Sequence, residues 1–418
     1  MTARARRSSR VVIIGAGRIG CGYLAPLFRT AGYQVSLGCR TEETAKRVAD
    51  EGGWLVRETG EPGRLDSVSG VVPVWGPDLD DALAEADLVV TSVGVGNVGQ
   101  LGDPLATGLA KRGGARVDIW SVENDACAGR LRTSIERAAH AREVELPAFG
   151  VAGAVASVVV GRGSWHGDGR PEFVGDAHRG LVVDEVPLTS DLPPLPGVTG
   201  SRHYRARLHE KIYGFNAGHA LTAYLGWLRG HQTLDSAVGD PFVRPVVAGA
   251  LLEARRATLH AYPMLTRSAT VDTQRDVHRP VGVILARFAD AELADPITRV
   301  AREPIRKLGP RDRLLGPVRL LSRVGGSPRL PAHFALGVAA ALLYGFADDR
   351  VTAVDPQTKR LRALIAEHGV LDALGLVSGL RPTGTFTRAV ADRYYRFAFL
   401  DDGVRFPPAC PDDLGVDQ

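Results

Sequence analysis

Three side chains within nine residues, Lys211, Asn216 and His219, could share one piece of chemistry. Exchange of a hydride at an alcohol or carbonyl carbon without a metal needs one group to move the hydroxyl proton and donors to hold the developing oxyanion. Lysine can serve as the acid/base when burial or neighbouring cations lower its pKa toward the working pH. Asn216 and His219 would then hydrogen-bond the same oxygen. On a regular α-helix, at 100° per residue, Asn216 lies about 140° and His219 about 80° from Lys211, so the three project from one side. Taken singly, a solvated helix lysine, a local cap and a core histidine fit the same residues.

A second constellation stands at the start of the chain. The apolar run Val11–Ile14 leads into Gly15-Ala16-Gly17-Arg18-Ile19-Gly20, and the pattern after it is helical. This order assigns Gly15 to the tight turn, Gly17 to close approach of a pyrophosphate and Gly20 to helix-on-strand packing, with the phosphates at the helix N-terminus. The end of the second expected strand carries no acid for a ribose hydroxyl. It reads Cys39-Arg40-Thr41, and an Arg there accommodates the 2′-phosphate of NADP, so NADP(H) is favoured and NAD(H) remains open. Arg40 as the mere start of an exposed loop stays the alternative. Ser92-Val93-Gly94 and Glu123-Asn124 end two further strands, and ligands bind at the carboxyl ends of parallel strands. Asn124 is accordingly a candidate for the catalytic set as well as the cofactor site, or else an Asx turn capping the next helix.

These candidates need elements to position them. Runs at Val11–Ile14, Gln34–Leu37, Leu88–Ser92 and Val117–Ser121 alternate with helical patterns, which predicts an α/β, Rossmann-type doubly wound parallel sheet. After about residue 195 helical periodicity dominates, so the expected division is a disordered basic tail over 1–10, a dinucleotide-binding domain over 11–195 and a mostly helical substrate and catalytic domain over 196–418. The apolar stretch Phe334–Ala347 is shorter than the roughly 20 residues of a membrane span and reads as a buried core helix.

Composition narrows the function classes. The 418 residues are 44% hydrophobic and 23% charged with a net charge of +4, which suits a globular protein and argues against nucleic-acid or membrane partners. Four scattered cysteines and the lack of an HExxH or CxxC pattern give no metal site, and suit a reducing cytoplasm. The expected partner is a small molecule, with the chain a monomer or homodimer.

The spacing Lys211-x4-Asn216-x2-His219 and the run on to Thr233 resemble the signature of the long-chain polyol dehydrogenases, in particular the mannitol-1-phosphate 5-dehydrogenases. The resemblance extends to the glycine loop, to Glu123-Asn124 and to the segment Arg299–Leu314. It implies Lys211 as general acid/base, Asn216 and His219 polarising the substrate oxygen, Asn124 as a site residue, and Arg299 and Lys307 holding the far end of the substrate. With Arg302, Arg306 and Arg313 nearby, the segment carries enough positive charge to bind a phosphate, or else forms a solvated basic surface at a helix C-terminus. Val155-Ala156-Ser157-Val158 departs from the family's Val-Asp-Arg-Ile. That difference keeps two alternatives open: the same chemistry on an unphosphorylated polyol or specialised sugar intermediate, and a dinucleotide-dependent epimerase without net redox.

Overall fold

The computed structural model describes residues 8–399 apart from 61–64, 125, 166–168, 269–277, 324–329, 347, 349–350 and 352–354. The chain divides into two compact units, Met1–Leu208 and His209–Gln418. Residues 1–7 of the expected basic tail lie outside the described residues, and Arg10 already opens the first strand, where it pairs with Glu85.

The first unit contains β1 (Arg10–Ile14), β2 (Gln34–Gly38), β3 (Gly53–Glu58), β4 (Leu65–Ser69), β5 (Val71–Val74), β6 (Leu88–Thr91), β7 (Val117–Val122), β8 (Phe149–Ala156), β9 (Val160–Arg162), β10 (Glu172–Gly175), β11 (Leu181–Asp184) and β12 (Val198–Ser201). Its main sheet has the order β12-β11-β8-β7-β6-β1-β2-β5, parallel from β8 to β5, with β11 antiparallel to β8. Strand order reverses between β1 and β6, the switch point at which such sheets bind ligands. Alternate residues of each strand serve two cores. Val11 and Ile13 pack with Val35, Leu37 and Trp120 on one face, while Val12 and Ile14 pack with Val89, Val117 and Ile119 on the other. This explains why the strands read as continuous apolar runs.

Because β11 and β12 extend the same sheet, the first unit runs to Leu208 where the expected boundary was 195. A second sheet, β4-β3-β10-β9, is inserted in this unit. Trp54, Trp165 and Phe173 form an edge-on aromatic cluster there, and the sheet is tied to the glycine loop: Trp165 Nε1 donates to Ala16 O at 2.9 Å, and Trp54 Nε1 to Cys21 O at 2.9 Å.

The second unit is helical among its described residues. Helix Ala332–Leu343 has every side chain from Phe334 onward buried, as its all-round apolar sequence demands. Helices Ala217–Leu228, Val243–Ala261 and Thr385–Phe399 flank it. No helix among the described residues is long and apolar enough to cross a membrane.

A Cβ on Gly20 would stand 1.9 Å from Gly15 O, whereas one on Gly17 would meet nothing within 4 Å. Gly20→Ala should therefore lower stability by about 1–3 kcal/mol, the usual range for overpacking, while Gly17→Ala leaves it nearly unchanged. Urea denaturation of the two variants checks the contrast; equal midpoints would remove the packing role of Gly20.

Candidate active site

In the first unit the glycine loop lies at the β1–β6 switch point. Gly15 has φ +125°, a conformation open to glycine, and the helix that follows is π-helical over Gly20–Leu24 before it becomes α-helical over Ala25–Thr30. The open space at Gly17 is what a pyrophosphate lying against the backbone needs, so the loop fits a dinucleotide. Ile19 packs against the sheet core, and Arg18 Nε reaches Gly163 O at 3.4 Å.

The loop after β6 is fixed from below. Glu123 accepts from Val93 N at 2.8 Å and from Gly94 N at 3.0 Å, and Ser92 N donates to Ile14 O at 2.9 Å. Burial pushes the Glu123 carboxyl up to about 7, against the downward pull of those two N–H groups and of Arg130. Both Glu123 oxygens are thus engaged with the chain itself, which gives this residue the work of holding the loop. Asn124, one residue on, is exposed.

Arg40 is exposed just beyond β2 and makes no side-chain hydrogen bond or ion pair among the described residues. Beside it Thr41 caps helix Glu42–Glu51, its hydroxyl accepting from Thr44 N at 3.2 Å. Ala156, where the family carries an acid, is buried in the sheet core.

In the second unit the lysine segment departs from the regular helix of the sequence reading. Helix Tyr204–His209 passes into a π-helix over Glu210–Asn216, and Ala217 N–H donates to Ile212 O, five residues back, before helix Ala217–Leu228 begins. The wide turn brings residues five apart into the relation that residues four apart have in an α-helix. Lys211 and Asn216 are such a pair, and the separation of about 140° expected of an α-helix does not apply.

Lys211 is partly buried and Asn216 fully so. Burial first, and then the positive charges of Arg313 and Arg287, bring the Lys211 amine down to about 7. Arg287 is held over the Phe215 ring at 4.2 Å, and Arg313 has its Nε 2.7 Å from Asp312 Oδ1. His219 places Nε2 3.1 Å from Asp295 Oδ2.

The three basic residues expected at the far end of the substrate are each already paired. Arg299 forks onto both oxygens of Asp295, with Nε at 2.6 Å from Oδ1. Arg306 bonds Glu303 at 2.8 Å and Asp312 at 3.1 Å, and buried Lys307 donates to Arg302 O. Burial, with Arg313 and Arg306 nearby, holds Lys307 well below the usual lysine range. Between Arg299 and Arg306 the chain turns at Glu303, whose φ of +61° is pinned by Asp355 accepting its N–H at 2.9 Å.

Sequence reasoning missed Asp295, Asp312, Arg287 and the placement of Arg313. The i,i+4 spacing of Asp295 and Arg299 was a usable sign of pairing, but nothing local links Asp295 to His219, 76 residues away. Among the described residues no group of three or more His, Cys, Asp or Glu is placed to hold a metal ion.

Residues 204–398 match the mannitol dehydrogenase C-terminal domain. Over 384 residues, 88% of this chain and 94% of the relative, the sequence is 32% identical to mannitol-1-phosphate 5-dehydrogenase of Bacillus licheniformis. The chain belongs to the mannitol dehydrogenase family. Its fold is similar to that of Pseudomonas fluorescens mannitol 2-dehydrogenase, solved with NAD and D-mannitol, at a TM-score of 0.71 and 16% identity over 96% of this chain and 94% of that one. A D-sorbitol dehydrogenase matches at 0.59 and 14% identity, over 88% and 95% of the two chains. As a member of that family the chain is an oxidoreductase, with a Rossmann-type first unit and a helical second one.

The depressed Lys211 amine carries a stability signature. Between about 7 and the ordinary lysine value of about 10.4 the unfolded chain holds a proton that the folded chain lacks, so stability rises as pH increases across that window. Lys211→Met should flatten this slope, with its gain over wild type largest near pH 7 and fading toward pH 10. Urea midpoints of both proteins across the range test it, and parallel curves would count against a depressed amine.

Proposed function

We propose that this chain catalyses NADP(H)-preferring interconversion of a ketose and a polyol, with Lys211 as general acid/base. The observation that carries the reading is the Lys211 amine, brought down to about 7 on the same wide turn as Asn216. Membership of the mannitol dehydrogenase family supports it.

A bound nicotinamide dinucleotide would supply or accept the hydride. The residues to hold it are the Gly15–Gly20 loop with Ala16 and Arg18, the pinned loop Ser92–Gly94, Asn124, and Arg40 with Thr41 at the adenosine end. In the reductive direction the Lys211 ammonium gives its proton to the carbonyl oxygen while the Asn216 amide donates to the same atom, and His219 lines the substrate. In the oxidative direction the neutral amine takes the hydroxyl proton. A pKa near 7 keeps both forms of Lys211 populated at neutral pH, which serves either direction.

The substrate of the Bacillus licheniformis relative is a sugar phosphate by its name, and we assign the same class here, with Arg299, Arg306 and Lys307 toward the phosphate. The pairing of all three favours a second reading, an unphosphorylated ketose or polyol, because a phosphate would have to displace carboxylates that already hold two of them.

Oxidation of NADPH or NADH by the purified protein with fructose 6-phosphate or fructose distinguishes these. We expect turnover with NADPH, and kcat/KM for reduction falling as pH rises through about 7, since the acid form of Lys211 is then lost. Lys211→Ala should cost roughly 10²–10⁴-fold, the usual range for a general acid. An unaffected Lys211→Ala enzyme, or silence with both ketoses, would defeat the reading. Separately, Arg40→Ala should weaken NADPH roughly 10–100-fold, the loss of a charge-assisted contact, and leave NADH nearly unchanged.

A further inference from the structure

A buried indole N–H needs an acceptor. Trp54 and Trp165 stand edge to face in the inserted sheet, 5.3 Å between ring centroids, and both are buried. Each donates outside that sheet, to a carbonyl of the segment that carries the glycine loop: Trp165 to Ala16 O and Trp54 to Cys21 O. The Cys21 bond has a local cause. In the widened turn Ala25 N–H reaches back to Gly20 O, so the next residue would serve Cys21 O, and that residue is Pro26, which has no N–H. Trp54 supplies the missing donor.

The Trp165 bond acts on the loop itself. The Ala16–Gly17 peptide is trans, and in a trans peptide the C=O and the N–H that follows point in opposite directions. With Ala16 O held toward Trp165, the Gly17 N–H is turned away from the inserted sheet. That N–H makes no hydrogen bond among the described residues, Gly17 is exposed, and a Cβ there would meet nothing within 4 Å. The segment that brings in Trp165 holds the loop at a second point, where Gly163 O accepts from Arg18 Nε at 3.4 Å, and Ala16 packs against the core that contains Trp165.

We propose that Trp165 is a positioning residue for the cofactor: by holding the Ala16 carbonyl it aims the Gly17 N–H at the pyrophosphate of a nicotinamide dinucleotide, so that the inserted sheet takes part in setting cofactor affinity. A donor fixed in advance binds an anion without the cost of ordering it, and its loss is felt in binding more than in the chemical step. The inference rests on the reading of the glycine loop as the dinucleotide site given above, and on none of the proton-transfer chemistry.

Titration calorimetry of the full-length protein tests this with NADPH, NADH, ADP-ribose and adenosine 2′-monophosphate, the last of which lacks a pyrophosphate. Trp165→Phe keeps a ring in the aromatic cluster and removes the donor. It should weaken NADPH, NADH and ADP-ribose by roughly 3- to 10-fold, the worth of one neutral hydrogen bond, and leave adenosine 2′-monophosphate nearly unchanged. In turnover, KM for the cofactor should rise by the same factor with kcat little altered. Trp54→Phe, which removes the other indole donor, should leave all four affinities nearly unchanged. A general loosening of the loop would weaken both variants alike, or all four ligands alike, and either result overturns the proposal, as does an unchanged affinity of Trp165→Phe for the pyrophosphate ligands. Should Trp165→Phe fail to fold, amide hydrogen exchange of the wild type decides: NADPH should slow exchange at residues 163–165 as well as at 15–20, and protection confined to 15–20 overturns the coupling. A wild type that binds neither dinucleotide defeats the dinucleotide reading itself, and the role of Trp165 with it, an outcome distinct from a wild type that binds and a variant that binds equally well.

Discussion

An ammonium group withdrawn from water beside two guanidinium groups is poorly enough solvated that the neutral amine competes with it near neutral pH, and Lys211 in the second unit is in that position. The difficulty is that the guanidinium groups must also survive burial. Arg313, 7% exposed, is tethered to Asp312, which it shares with Arg306, and Arg287 lies on the face of Phe215. Each cation is individually compensated, so the positive potential at Lys211 persists while its cost is spread over several partners. One Nη2 of Arg313 is buried with no hydrogen-bond partner among the described residues, a place where the compensation is incomplete.

Each of the two units is visible in the sequence only in part. The glycine loop, the alternating strands and the apolar helix Ala332–Leu343 were legible because each is a local pattern: a turn that needs glycine, a run buried on both faces, a helix apolar all round. The inserted sheet was not, since β3 pairs with β10 more than a hundred residues later and Gly53–Glu58 shows no hairpin of its own with that partner. The lysine, asparagine and histidine stood out by type and spacing, but the width of the turn that carries them did not, because a π-helical hydrogen-bond pattern leaves no periodic trace in seven residues.

The basic segment shows a different limit. A count of Arg299, Arg302, Arg306, Lys307 and Arg313 suggests a site for an anion, and the pairing that cancels much of this charge comes from Asp295, Glu303 and Asp312, interleaved with the same residues. Pro304 and Pro310 conceal side-chain directions there, and the left-handed turn at Glu303, pinned from residue 355, could not be inferred from neighbours in sequence. Net charge along a segment is thus a poor guide to where an anion binds when the counter-charges are one turn away.

The wide turn at Glu210–Asn216 is equivalent to one residue inserted into an otherwise continuous helix. Loss of one residue there would let the helix close to ordinary pitch with Lys211 and Asn216 four apart, close to their present relation, whereas a further residue added between them would rotate one flank against the other by about 100°. Lys211 would then keep its neighbours on one side of the turn while Asn216 and His219 swung away from it. Chain length in this segment is therefore under a one-sided constraint that side-chain identity does not express: it accommodates the loss of a residue between Lys211 and Asn216 more readily than the gain of one.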